Sequence, residues 1–241
     1  MESKFYQDGA QRAEKVHELF AAIARRYDLL NDLMSAGQHR RWKRRLVGLA
    51  EGTGKAESGK RRDVLDLCCG TGDIALKFVG PGSRVTGVDF TEEMLRVAAS
   101  RQDSEVTWIR ADALRLPFGE NSFDVVSVGY GLRNLSDLEQ GLREVLRVLR
   151  PGGKFLSLDF GKPESPAFRA LYFGYLRVVL PVLGRVFCGD PDTHGYILAS
   201  LQKYPAQRGT KELMESCGYR ECGFEEFYLG SMAINYGTKP Q

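Results

Sequence analysis

The chain has 241 residues, 43% of them hydrophobic and 27% charged, with a formal net charge of +3. That length suits one large domain or two small ones, and so slight a charge gives no argument for a nucleic-acid partner. Five cysteines, an odd number with no C-x-x-C pair and no paired histidines, argue against a disulfide framework and a zinc site, and read as reduced thiols of a cytoplasmic protein.

The opening MESKFYQDGAQ has no apolar h-region that would direct export. From Ala13 to Ser35 the apolar positions Val16, Leu19, Phe20, Ile23, Tyr27, Leu30 and Met34 recur at three- and four-residue spacing, which predicts one amphipathic helix or two in tandem. Such a layer would cover a ligand crevice at the carboxyl ends of a parallel sheet or pack on the outer helices alone, and periodicity does not choose between them. His39-Arg40-Arg41-Trp42-Lys43-Arg44-Arg45 reads first as a solvated helix face, next as a contact with an anionic membrane surface, and last as a nucleic-acid contact, for want of a stacking platform. Glu51 to Arg62 is polar and glycine-rich and reads as a loop.

Val64 to Cys68, apolar but for one acid, suits a strand buried on both faces. Gly70-Thr71-Gly72-Asp73-Ile74-Ala75 then fits the glycine-rich strand-to-helix fingerprint, and Asp89 closes the next apolar run, where a ribose-binding acid belongs. A carboxylate there would accept hydrogen bonds from both ribose hydroxyls and repel a 2′-phosphate, so the ligand implied is an adenosine without one. Nicotinamide or flavin dinucleotides and S-adenosyl-L-methionine share this fingerprint. Asp66 favours the second class, since it could meet a methionine ammonium but would oppose a pyrophosphate seated on the turn. Its plainer reading is a cap for the following helix or loop amides. Cys68 and Cys69 read as small apolar filler.

Thr91-Glu92-Glu93, next to Phe90, predicts a side-chain cap and two acids in the first turn of a helix in which Met94 either touches adenine or fills the core. Asp112, before Ala113, ends a third apolar run, and Phe123 to Val128 predicts a fourth strand. Ser136 to Glu139 reads as a capping box for a helix that Pro151 stops, with a fifth strand at Lys154 to Asp159. An acid after each of the first three strands, then Pro151-Gly152-Gly153, resembles a class I methyltransferase. Gly129-Tyr130-Gly131-Leu132-Arg133-Asn134 lies beyond the fourth strand, at the sheet edge where a reacting centre is held, although Arg133 could simply pair with a surface acid. Ser165 to Phe187 is the most apolar region, but Arg169, Arg177, Pro181 and Arg185 divide it into runs too short to span a bilayer; a lid over a greasy substrate, a shallow membrane contact and a core helix are the readings weighed. Thr210 to Gly218 predicts a last helix, followed by a hairpin of Tyr219–Phe227 and Ser231–Gly237.

FAAIARRYDLLNDLMSAGQHRRWKR, VLDLCCGTGD, DALRLPF, YGLRN and VLRVLRPGGKFLSLDF, in this order, resemble the ubiquinone/menaquinone biosynthesis C-methyltransferase family over nearly the whole chain. The resemblance implies an α/β fold, a class I Rossmann-like sheet with an N-terminal helical layer and a C-terminal antiparallel hairpin. It implies one domain, 1–241, with a helical cover (1–50), a cofactor-binding core (63–160), a substrate lid (161–209) and a last helix with strands (210–241). It assigns S-adenosyl-L-methionine to Thr71, Asp89, Asp112 and Ala113, to which the reading of the turn and its neighbours adds Asp66, Gly70, Gly72, Phe90, Met94 and Gly129. The substrate it implies is the reduced ring of a demethylated polyprenyl quinone. Gly129 stands where a serine is expected, His194 where a tyrosine is, Ala199 for a glutamate and Asn235 for a histidine.

Such a ring becomes a carbon nucleophile when a phenolic proton, with a pKa of about 10 by analogy with tyrosine, leaves it. Arg133 could stabilise the phenolate or orient a water, Asn134 could hold a ring oxygen, and Tyr196 and His194 are candidate proton acceptors. Positioning and charge suffice for methyl transfer, so no metal is expected. The rivals are another lipophilic acceptor, a cofactor-binding partner protein without catalysis, and a dehydrogenase.

Overall fold

Successive residues of the first strand, β1 (Arg62–Leu67), face opposite sides of one sheet. Val64 joins the apolar cluster of Leu46, Phe78 and Leu156, whereas Leu65 and Leu67 join that of Leu19, Met94 and Phe155. Burial on both faces is what the nearly unbroken apolar run demands. The computed structural model describes residues 11–51, 61–101, 105–189 and 192–241. Most of the loop read at 51–62 therefore lies outside the described residues.

Four further strands, β2 (Ser83–Asp89), β3 (Val106–Arg110), β4 (Phe123–Gly129) and β5 (Leu149–Phe160), extend the parallel sheet, and the antiparallel hairpin β6 (Arg220–Phe227) and β7 (Met232–Thr238) completes it. The order β3-β2-β1-β4-β5-β7-β6 reverses direction between β1 and β4, and the crevice of such a sheet opens at that switch point. β5 starts five residues before the expected Lys154, because Pro151-Gly152-Gly153 is absorbed as an irregularity in its pairing with β4 and the Gly152 N–H bonds the Lys239 carbonyl at 2.9 Å.

Two tandem helices, α1 (Gln11–Ile23) and α2 (Tyr27–Ser35), are joined by a single 3₁₀ turn. The next helix, α3 (His39–Ala50), corrects the reading of the basic run as a solvated face. Only Arg40, Arg41, Arg44 and Arg45 are exposed, while His39, Trp42 and Lys43 are buried. Charge type was a poor guide there, because His39 and Lys43 have carboxylate partners supplied by other elements.

The turn after β1 leads to α4 (Ala75–Phe78), a single turn, and α5 (Glu92–Ser100) follows β2. The expected Thr91 side-chain cap is not made. Instead the Thr91 N–H donates to Asp89 Oδ1 at 2.8 Å and its hydroxyl lies 3.4 Å from His17 on α1. The cap of α6 (Leu138–Val148) is Asp137 rather than Ser136, its carboxylate accepting from the Gln140 N–H at 2.9 Å. Ser165 caps α7 (Pro166–Leu183), which continues through Pro181 into a π turn. As one continuous helix, Pro166–Phe187 is long and apolar enough to cross a membrane by length and composition alone, with an 18-residue window of mean hydropathy 1.4. That corrects the expectation that arginines and Pro181 cut it short. Leu176 and Leu180 are buried, and Leu171, Tyr175, Val178, Val182 and Val186 are exposed on the other side. Sequence reading did not anticipate α8 (Asp192–Lys203), and the last helix, α9 (Ala206–Ser216), begins four residues before the expected Thr210.

Candidate active site

Each strand at the switch point is followed at once by a non-glycine residue with left-handed backbone, Cys68 (φ +53°) after β1 and Tyr130 (φ +60°) after β4, a conformation found where the surroundings enforce it. The chain thereby turns off the sheet on either side of one crevice. Its lining includes Gly70, Asp89, Phe90, Met94, Asp112, Ala113 and Gly129, so seven of the ten residues expected at the cofactor share one concavity. Asp89 sits at its centre, with Oδ2 accepting from the Gly70 N–H and Oδ1 from the Thr91 N–H, each at 2.8 Å. Burial pushes its carboxyl up, and the two N–H groups fix its orientation. Gly70 has φ +54°, and a Cβ there would point at the Tyr27 ring, 3.8 Å off, in space a ligand would need. Val16, His17 and Phe20 of α1 and Tyr27 of α2 line the crevice from the side of the N-terminal helices.

A smaller cavity under the turn is lined by Lys43, Asp66, Thr71, Asp73 and Ile74. Asp66 makes the bonds of its plainer reading, accepting from the Ala75 N–H at 2.9 Å and the Ser127 hydroxyl at 2.7 Å. Burial raises its pKa to about 7 despite these bonds. Lys43 Nζ reaches Asp73 Oδ2 at 2.8 Å and Lys77 reaches the other oxygen at 2.6 Å. Burial pushes the Asp73 carboxyl up, but the two ammonium groups outweigh it and hold it below the ordinary range. Thr71 donates to Asp28 Oδ1 at 2.8 Å. Gly72 departs from its expected role, since it lines none of these cavities and a Cβ there would strike the Trp108 ring at 2.5 Å. It is a packing glycine. Gly129 is likewise in close contact with a neighbour, Ile74 Cδ1 lying 2.4 Å from the Cβ position; a serine in its place would make the end of the Ile74 side chain turn aside. Burial raises the Cys68 and Cys69 thiols well above their usual range, as apolar filler requires.

These groups fit S-adenosyl-L-methionine. Asp89 presents an oriented carboxylate to a ribose, Val88, Met94, Ala113 and Leu114 give apolar walls to a base, and Asp66 with the Lys43–Asp73 ion pair gives the adjoining small cavity the polar lining a methionine end needs.

A second cavity of about 650 Å³ adjoins the crevice, and Tyr27 and Tyr130 line both. Its walls come from α2, α3, α7 and α8 and include Leu30, Trp42, Phe160, Tyr172, Leu176 and Leu180. Arg133 and Tyr196 are on this wall, and Asn134 is on the crevice side. The Arg133 guanidinium is buried, donating through Nη1 to Asp159 Oδ1 at 2.6 Å and the Tyr130 carbonyl at 2.7 Å, and through Nη2 to the Tyr196 hydroxyl at 3.2 Å. Burial disfavours its charge, but Asp159 outweighs that and raises its pKa. The acid it pairs with is thus a buried one, not the surface partner considered from sequence. Asn134 donates to the Tyr130 carbonyl at 3.1 Å, and its Oδ1 is buried without a partner among the described residues. Asp159, Tyr27, Lys43 and His39 were not singled out as site residues from sequence; Asp159 and Lys43 are placed by contacts with distant parts of the chain, and His39 by Asp32 on the preceding helix.

Of the departures from the family pattern, Asn235 is buried on β7 and donates to the Gln207 carbonyl at 2.8 Å, tying α9 to the sheet and lining neither cavity. Ala199 packs against the core. The side chain of His194 lies outside the described residues.

The ubiE/COQ5 methyltransferase family model matches residues 9–239. Among curated relatives, a protein of Pseudomonas fluorescens named ubiquinone/menaquinone biosynthesis C-methyltransferase UbiE is 38% identical, covering 96% of this chain and 91% of its own. A demethylmenaquinone methyltransferase of Desulfitobacterium hafniense is 36% identical, covering 97% and 93%. Two solved structures share the fold. One is a Haemonchus contortus phosphoethanolamine N-methyltransferase 2 in complex with S-adenosyl-L-methionine (TM-score 0.56, 19% identity, 82% of this chain and 53% of that one), and the other an Aquifex aeolicus SAM-dependent methyltransferase (TM-score 0.53, 18% identity, 82% and 98%). A match this continuous, from the roof of the crevice to the last strand, means that the chain belongs to the ubiE/COQ5 methyltransferase family.

Proposed function

We propose that the protein methylates a ring carbon of a reduced polyprenyl quinone, demethylmenaquinol or a ubiquinol precursor, using S-adenosyl-L-methionine. The observation that carries this reading is the aromatic and aliphatic cavity of about 650 Å³ meeting the nucleotide crevice at Tyr27 and Tyr130. Its size and lining suit a bicyclic ring with an apolar tail. The relatives' names point the same way.

Bound S-adenosyl-L-methionine supplies an electrophilic methyl group. Asp89 orients the nucleoside, while Asp112 and Ala113 border the base. Arg133 offers its hydrogen-bonding face to a developing phenolate, although its pairing with Asp159 leaves little net positive charge to do so. Tyr196, whose hydroxyl burial and geometry keep neutral, suits holding the ring rather than accepting its proton. The largely apolar lining of the cavity disfavours competing water beside the ring. The exposed stripe of α7, in a stretch whose only charged residues are arginines, supports a shallow contact between a cytoplasmic protein and the membrane's inner face, from which an isoprenoid tail would enter.

The test is incubation with labelled S-adenosyl-L-methionine and a short-chain demethylmenaquinol under reducing conditions. Label in the quinone is the expected result. Cofactor binding without transfer to any quinol would point to another lipophilic acceptor, and binding without transfer to any acceptor in a lipid extract would point to a partner protein.

A further inference from the structure

The second half of α2 and the first residue of α3 present two buried polar atoms to one cavity. His39 Nδ1 is buried with no hydrogen-bond partner among the described residues, Asn31 Nδ2 is buried beside the Tyr27 hydroxyl, which its amide bonds, and both residues line the large cavity. Ser35 connects them, its hydroxyl donating to the Asn31 carbonyl at 2.7 Å and accepting from the His39 N–H at 3.3 Å. A buried polar atom without a partner is costly, so His39 Nδ1 on the cavity wall implies a ligand that satisfies it, with the Asn31 amide beside it. One is a donor, and the other becomes an acceptor for the following reason.

His39 Nε2 lies 2.8 Å from Asp32 Oδ1, and Asp32 also takes two hydrogen bonds from Arg40, at 3.0 and 2.6 Å. The Arg40 and His39 bonds hold the Asp32 carboxyl below its usual range, so it is an anion and Nε2 carries the proton. That tautomer leaves a lone pair on Nδ1. The groups facing the ring are Asp32 from α2, Lys43 from its own helix and Asp73 from the glycine turn; burial, helped by Lys43, outweighs the two acids and pulls the imidazole below its usual pKa, so it is neutral near pH 7. A neutral imidazole oriented by a carboxylate is the arrangement that general-base catalysis uses.

We infer that His39 Nδ1, with Asp32 fixing its tautomer, accepts the proton of a ring hydroxyl in the large cavity, while Asn31 Nδ2 donates to the same ring. The inference rests on the quinol reading. As the hydroxyl O–H bond breaks, an Nδ1–H bond forms and the electron pair stays on oxygen, from where it activates the ortho carbon. Once that carbon is alkylated, its own C–H proton leaves to solvent and the Nδ1 proton returns to oxygen. Each turnover thus releases one proton and restores the imidazole. His39 is a catalytic residue in this scheme and Asp32 a positioning residue.

The test uses His39→Gln, whose amide can still donate to Asp32, and Asp32→Asn, both checked by thermal melts and by S-adenosylhomocysteine binding. Expected for His39→Gln is a fall in kcat of about 100-fold or more, with loss of the acid limb of the pH–rate profile. For Asp32→Asn the limb moves to lower pH. A second readout needs no turnover: the absorbance of a nitronaphthol bound to the protein reports its ionisation, which should require a higher pH in His39→Gln than in the unaltered chain. Full activity with an unchanged pH profile and unchanged dye ionisation in a folded His39→Gln protein would overturn the inference. If either variant fails to fold, the dye ionising no more readily on the unaltered protein than in water would do the same. Failure of the unaltered protein to methylate any quinol would instead overturn the substrate reading.

Discussion

Arg133 and Asp159 form an ion pair at 2.6 Å with both side chains buried, at the point where the β4 loop meets the end of β5. Such a pair adds little net stability, yet breaking it strands a charge. Asp159→Asn should therefore cost about 3–5 kcal/mol in urea unfolding. The double change of Arg133→Met with Asp159→Leu should cost less than Asp159→Asn alone, while abolishing turnover.

Asp89→Asn should weaken S-adenosylhomocysteine binding. Losing charge-assisted hydrogen bonds, at about 1.5–3 kcal/mol each, raises Kd by about 10- to 100-fold or more, as isothermal calorimetry would read. Binding as tight as that of the unaltered chain would remove Asp89 from the site.

Gly72→Ala separates packing from ligand contact. Its new Cβ would collide with Trp108 from a backbone at φ +80°, so a loss of about 1–3 kcal/mol of stability is expected. Cofactor affinity measured well below the melting transition should stay within about threefold, since ±0.6 kcal/mol covers indirect effects.

How much of this was legible beforehand follows from range. The strands at Val64, Asp89 and Phe123 could be read because apolar runs and glycine turns are local signals, and the same local chemistry exposed Asp89 and the loop holding Arg133. Gly72 matched a motif, but its role is set by Trp108 on a neighbouring strand. Lys43 and His39 looked like solvated charges because their carboxylates lie on another turn and another helix. α8 has no strong periodic stripe and contributes Tyr196 only through packing.

Asp73 sets an acid dependence. It binds a proton less readily in the fold than its ordinary value of 3.8, so the folded chain holds fewer protons there than the unfolded one. The stabilisation is complete above pH about 4 and drains away as pH falls further toward the lower folded value. Lys43→Met should flatten that acid slope in a series of thermal melts between about pH 2 and 5.

The exposed apolar side of α7 predicts a lipid dependence. Val178→Ser together with Val182→Ser should lower the fraction sedimenting with anionic vesicles by about tenfold, given roughly 0.8 kcal/mol per methylene withdrawn from lipid. The melting temperature should barely move, because both side chains face outward.

Tyr27 is part of the crevice roof and of the cavity wall alike. A single ring that both occupants must press against makes their affinities interdependent: whatever factor the nucleoside imposes on quinol binding, the quinol must return to the nucleoside. The helical cover is in that sense a shared ledge, and cooperativity between two ligands in adjoining recesses runs through Tyr27 together with Tyr130, the two rings that face both.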